Sequence, residues 1–129
     1  MQRGIITINE MGAVTIPTAP VWMTKFEIAD LFGVFAYDIR KAIRQIYRNG
    51  ELQEDETMKY IRQGENVNCD AYSLEMVVAI AFKTRGKAAT AFRKFVSERL
   101  YARQRDNGNI FLSVSYGNLT RQGKHSGFN

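Results

Sequence analysis

Between Thr24 and Gly50 the chain spells out two short helices and the turn between them, and any fold it adopts must accommodate that pair. Thr24-Lys25-Phe26-Glu27 has the S/T-x-x-E form of a capping box, in which hydroxyl and carboxylate each satisfy a backbone N–H that the first helical turn leaves unbonded. Ile28, Leu31 and Phe32 follow at helical spacing, and Gly33 ends the run. After Val34 a second helix is predicted over Ala36 to Arg48, because Ile39, Ala42, Ile43 and Ile46 fall at i, i+3, i+4 and i+7, one buried face. Asn49-Gly50 closes it. Ala29 is small where the first helix must approach the second, Gly33 tolerates the left-handed backbone of the turn, and Val34, Ile39 and Ala42 fill the angle between the helices.

The flanking sequence supplies what this pair packs against. Ile5 to Asn9 and Ala13 to Ile16 are β-rich runs around Glu10-Met11-Gly12, an N-terminal hairpin that Pro17 and Pro20 terminate. Glu51 to Thr57 reads as a polar, acidic connection. Met58 to Arg62 and Val67 to Tyr72 form a second predicted hairpin around Gln63-Gly64-Glu65-Asn66. Ser73 is placed to cap a third helix, Leu74 to Thr84, which is apolar nearly all round and therefore expected at the centre of a core. Gly86 separates it from a fourth helix, Lys87 to Arg105, with Ala88, Ala91, Phe92, Phe95, Val96 and Leu100 on its apolar side. In the tail, Ile110, Leu112, Val114 and Tyr116 alternate with Phe111, Ser113 and Ser115 as in a half-buried strand. Two helices joined by a glycine turn and followed by a hairpin predict an α+β fold: a winged helix-turn-helix with an N-terminal β-hairpin, a wing hairpin and two C-terminal helices. The domain is expected over residues 1–105, with a tail over 106–129 that carries one strand and is disordered beyond it.

At 129 residues with 45% hydrophobic composition, the chain can bury a core without covalent staples. Its one cysteine, Cys69, allows no disulfide within the chain and fits a reducing compartment. Together with a single histidine, His125, it leaves no Cys/His zinc site and no histidine-based triad. A binding module, with no cofactor and no enzymatic activity, is the expectation. Glu54-Asp55-Glu56 is expected to be a solvated loop, with cation binding as the less favoured alternative. Cys69, in a strand, is expected to be a small buried hydrophobe. His125 is expected to be exposed and without a role. The longest apolar run, Met76 to Phe82, is far shorter than the roughly 20 residues of a membrane-spanning helix, so no membrane association and a cytoplasmic location are expected.

Charge points to a partner. The formal net charge is +5, and the excess is clustered. From Ile39 to Gly50 the chain carries Arg40, Lys41, Arg44 and Arg48 and no acid. Glu51 to Glu75 is acidic, and from Met76 onward Lys83, Arg85, Lys87, Arg93, Lys94, Arg99, Arg103, Arg105, Arg121 and Lys124 face only Glu98 and Asp106. With Ile39, Ala42, Ile43 and Ile46 turned inward, the second helix presents Tyr37, Arg40, Lys41, Arg44, Gln45 and Arg48 outward. Tyr37, Lys41, Arg44 and Arg48 form one stripe at i, i+4, i+7 and i+11. Arginine bridges guanine O6 and N7 in the major groove, and either cation neutralises phosphate. Gln45 is suited to a base edge, and the second hairpin, with Lys59, Arg62 and Gln63, would lie over the adjacent backbone. Double-stranded DNA is therefore the expected partner, bound by a homodimer, since one short helix specifies little and paired half-sites add specificity. Two other readings compete with this one. Cations in the last turns of a helix are favoured by the macrodipole with no partner at all. Phe35 and Tyr37 are aromatic where a base reader is often small and polar, which suits a protein-binding patch.

These residues resemble a known family. Val21-Trp22-Met23-Thr24, Glu27-Ile28-Ala29-Asp30-Leu31-Phe32-Gly33-Val34, Asn49-Gly50-Glu51-Leu52, Tyr72-Ser73-Leu74 and Lys87-Ala88-Ala89-Thr90-Ala91-Phe92-Arg93 are similar to stretches of the RhuM-like bacterial proteins, over a span from Gly4 to Tyr101. That family is known from virulence loci and mobile elements, with a presumed DNA-binding helix-turn-helix and no established enzyme activity, and it is akin in plan to phage antirepressor modules. The resemblance implies a transcriptional regulator. Phe35-Ala36-Tyr37-Asp38 stands where members of the family often carry Ser, Arg and Thr.

Overall fold

The computed structural model describes residues 2–107; the predicted strand from Ile110 to Tyr116, the rest of the tail and His125 lie outside the described residues. The chain is α+β, with two small antiparallel sheets and helices that share one core.

The N-terminal hairpin forms, with a shorter ladder than its composition suggests. β1 (Thr7–Ile8) pairs with β2 (Val14–Thr15) in the register Thr7 to Thr15 and Ile8 to Val14. Its turn is organised by Asn9, whose Oδ1 accepts the N–H groups of Met11 and Ala13, each at 2.9 Å. Ile6, 2% exposed, anchors the hairpin in the core. β3 (Trp22–Met23) carries no signal in the sequence. It pairs antiparallel with β5 (Asn68–Ser73), Trp22 opposite Ser73 and Met23 opposite Tyr72.

α1 (Lys25–Phe32) begins at the capping box as predicted. Glu27 N–H donates to Thr24 Oγ1 at 3.2 Å, and Thr24 N–H donates to Glu27 Oε1 at 2.9 Å. It ends at Gly33, whose φ of +67° and ψ of +37° would strain any residue with a Cβ, and Val34 N–H returns to Ala29 O at 3.0 Å. α2 (Ala36–Arg48) then runs with Ile39, Ile43 and Ile46 buried. Ala29 and Phe32 of α1 are buried in the same core.

The segment between α2 and the second hairpin differs from the polar connection expected. It contains one helical turn, α3 (Glu54–Thr57), because Thr57 is buried: its hydroxyl donates to Gln53 O at 2.7 Å and meets Tyr47 Oη at 2.8 Å. β4 (Met58–Arg62) then pairs with β5, Met58 opposite Tyr72 through Arg62 opposite Asn68. The three-stranded sheet has the order β3-β5-β4, so the second hairpin lies beside a strand that precedes α1.

α4 (Leu74–Ala81) is shorter than predicted, and Ser73 does not cap it through its side chain. Ser73 is committed to β5, and its hydroxyl donates instead to Glu75 Oε1 at 3.0 Å. Met76, Val77, Ile80 and Ala81 are buried, but Leu74 and Phe82 are 37% and 57% exposed, so the helix is central on one side only. It stops short of Thr84: Lys83 N–H turns back to Ile80 O at 2.9 Å, and Arg93 Nη1 donates to Ala81 O at 2.6 Å and to Thr84 O at 2.8 Å. α5 (Lys87–Asn107) buries Ala89 and Phe92, the latter edge-on to Phe32 with ring centroids 5.9 Å apart. Leu100, expected on the apolar side, is 46% exposed, because the packed part of α5 ends before it.

Candidate nucleic-acid interface

The outward face of α2 follows from its inward one. Three isoleucines at helical spacing fix the rotation of the helix about its axis, and apart from the half-buried Tyr47 its other long side chains are turned to solvent. Tyr37, Arg40, Lys41, Arg44, Gln45 and Arg48 are all exposed, as the sequence predicts. Tyr37 is 60% exposed, with the Arg40 guanidinium 5.8 Å and the Lys41 ammonium 5.5 Å from its ring centroid. Those contacts gather two cations around one aromatic ring at the start of the helix.

This face is a ridge between two clefts. On one flank an open groove of about 610 Å³ runs along Lys41, Arg44, Gln45 and Arg48, and its far wall is Lys83-Thr84-Arg85 at the end of α4. Asp38 is the one acid that lines it. On the other flank a cleft of about 460 Å³ separates Arg40, Arg44 and Tyr47 from β5 and the start of α1. Here Arg40, Arg44 and Lys25 are offset by Glu54 and Asp70. Burial, with Asp70 and Tyr47 nearby, pushes the Tyr72 phenol in this cleft up to about 12, so it stays neutral and serves as packing. The two flanks thus differ sharply in charge.

The hairpin residues assigned to the interface do not act together. Lys59 and Arg62 are an odd number of positions apart on β4, and successive side chains of a strand point to opposite faces. Lys59 is half-buried, and its ammonium lies 4.4 Å from the centroid of the Trp22 ring. Arg62 is exposed at the end of β4, on the face that carries Tyr60, Asp70 and Tyr72. Cys69 is not the buried hydrophobe expected: it is half-exposed, and its thiol donates to Gln63 Oε1 at 3.4 Å near the hairpin tip. Four basic residues of α5 make contacts nearby. Arg93 holds the α4 carbonyls, Lys94 faces Glu98 at 3.9 Å, and Arg99 and Arg105 lie over Phe95 and Tyr101 at 4.8 and 5.3 Å.

Sequence reasoning missed two contributors. Lys83 and Arg85 are visible as cations in a turn, but nothing local says that this turn comes back beside α2. Arg3, in the N-terminal segment, reaches Glu27 with two bonds at 2.8 and 3.0 Å and Trp22 O at 2.6 Å, tying the start of α1 to the strand before it. Among the described residues no group of three or more His, Cys, Asp or Glu side chains is placed to hold a metal ion, and no helix is long and apolar enough to cross a membrane. In comparisons with known proteins, no family model, curated protein or solved structure matches this chain.

Proposed function

We propose that this protein binds duplex DNA as a winged helix-turn-helix regulator, with α2 as its recognition helix. The observation that carries the reading is the exposed face of α2, on which Tyr37, Arg40, Lys41, Arg44, Gln45 and Arg48 stand together with no acid from Ile39 to Gly50. An α-helix is the right width for the major groove, and cations along its outer stripe neutralise phosphates on either side. Arg40, Lys41, Arg44 and Arg48 anchor the backbone, and Tyr37 and Gln45 lie nearest the bases. The β4–β5 hairpin follows α2 and brings Arg62 to its exposed end, which supports a wing beside the helix. A regulatory role of this kind is also what the resemblance to RhuM-like proteins implies.

Fluorescence anisotropy with random-sequence duplex DNA tests the reading. Binding should weaken as salt rises, and the double variant Arg40→Ala/Arg44→Ala should lower the slope of log K against log salt by about 2, at roughly 0.9 per lost phosphate contact. Absence of binding even at low salt would overturn it. Phe35, 79% exposed just before α2, favours a second reading in which this end of the helix holds a protein partner. That reading predicts a complex whose affinity is insensitive to salt and is lost in Phe35→Ala/Tyr37→Ala.

A further inference from the structure

We infer that the turn between α4 and α5, through Lys83 and Arg85, is a second phosphate-binding wall, so that one DNA strand runs in the groove between this turn and α2. The inference rests on the nucleic-acid reading of α2 and extends it to residues on a different element. Five cations, Lys41, Arg44, Arg48, Lys83 and Arg85, line one open groove with a single acid, Asp38, in its wall; Glu51, just outside that wall, pairs with Lys83 and leaves the other four cations without an acid partner there. A polyanion of regular charge spacing is the ligand such a concentration of like charge suits, since each phosphate it takes releases condensed counterions. The opposite flank of α2 lacks this character, because Glu54 and Asp70 stand among its cations. The field around α2 therefore favours docking with a strand on the α4–α5 side.

The groove is also held in shape, which a solvated charge run does not require. Lys83 Nζ meets Glu51 Oε2 at 3.2 Å, tying the turn to the segment just past the end of α2. From behind, Arg93 bridges Ala81 O and Thr84 O, fixing the backbone on which Arg85 sits. Thr84 Oγ1 donates to Ile80 O at 2.7 Å and completes that fixation. Arg85 itself is exposed and has no ion-pair partner among the described residues, so its guanidinium is available to an incoming phosphate.

Arg85→Ala is the decisive variant, because Lys83 also holds the turn in place and its loss would confuse contact with structure. Binding to random-sequence duplex DNA should be measured at roughly 50 and 200 mM salt, where one lost phosphate contact lowers the slope by about 0.9 and changes the affinity ratio to wild type about three- to fourfold. Arg85→Ala is expected to show that change, Arg85→Lys to keep the wild-type slope, and Lys94→Ala, on α5 where the side chain faces Glu98, to leave it nearly unaltered. Thermal melts of all three should match wild type. If Arg85→Ala binds with wild-type affinity and slope while Arg40→Ala/Arg44→Ala is weakened, the second wall is overturned and the role of α2 stands. A loss of affinity with an unchanged slope would overturn it too, since the contact would not be to phosphate. Absence of binding by the wild-type protein overturns both readings together.

Discussion

The residue that joins most levels of this structure is Glu27. Its carboxylate closes the capping box on Thr24 N–H and accepts two bonds from Arg3, so one side chain starts α1 and holds the N-terminal segment against it. Burial alone would push the carboxyl up, but the Arg3 guanidinium and the Thr24 backbone and hydroxyl bonds outweigh it and hold it below its ordinary value of 4.5. A group whose pKa is lower in the folded state binds its proton more readily when unfolded. Its contribution is therefore whole above pH 4.5 and is lost as pH falls from there through the folded value. Urea midpoints measured against pH should drop on acidification in wild type, and Glu27→Gln should show a smaller drop from a lower plateau. At the same scale, the capping box was legible because both its bonds join residues three apart. The Arg3 bond, across 24 positions, left no trace that pattern could find. The alternation that separates Lys59 from Arg62 is present in the sequence, because residues three apart on one strand lie on opposite faces.

Among the elements, α2 and α5 show how differently a periodic pattern can be realised. The isoleucine stripe of α2 is buried along its length, and the outward residues follow from it without exception. α5 carries its apolar side on paper as far as Leu100, yet from Ser97 to Arg105 only Ala102 is even half-buried. Its earlier half is held by Ala89 and Phe92 in the core and by the Arg93 bridge to α4. Protection should follow that division. Amide hydrogen exchange is expected to be slow from about Thr90 through Val96, and markedly faster from Ser97 to Arg105; uniform protection to Arg105 would show that the second half is covered. α4 illustrates the converse. Its composition gave the helix and its burial, but it ends three residues short of Thr84, where Arg93, twelve positions on from Ala81, caps Ala81 O.

For the whole molecule, the core is continuous from Ile6 in the N-terminal hairpin through α1, α2 and α4 to Phe92 in α5. Phe92 is fully buried and meets Phe32 edge-on, so it couples the last helix to the first. Phe92→Ala should cost about 3–5 kcal/mol in urea melts with the slope m unchanged, the signature of a cavity in a fold that still unfolds as one unit. Splitting of the transition would show instead that α5 unfolds separately.

What the sequence determined by itself is everything settled within about one helical turn: the capping box, the stop at Gly33, the rotation of α2, the closure at Asn49-Gly50 and the tight turns of both hairpins. Those features are bonds and steric preferences between near neighbours, so the pattern that encodes them sits in one place in the chain. The tertiary structure alone decided that Trp22–Met23 is a strand and that Lys83 and Arg85 face α2. A two-residue strand has too few positions to show a period, and a turn has no preferred neighbour of its own. Both acquire their partners only when the apolar faces of distant segments are buried against one another, and the charge on the groove beside α2 is a consequence of that burial.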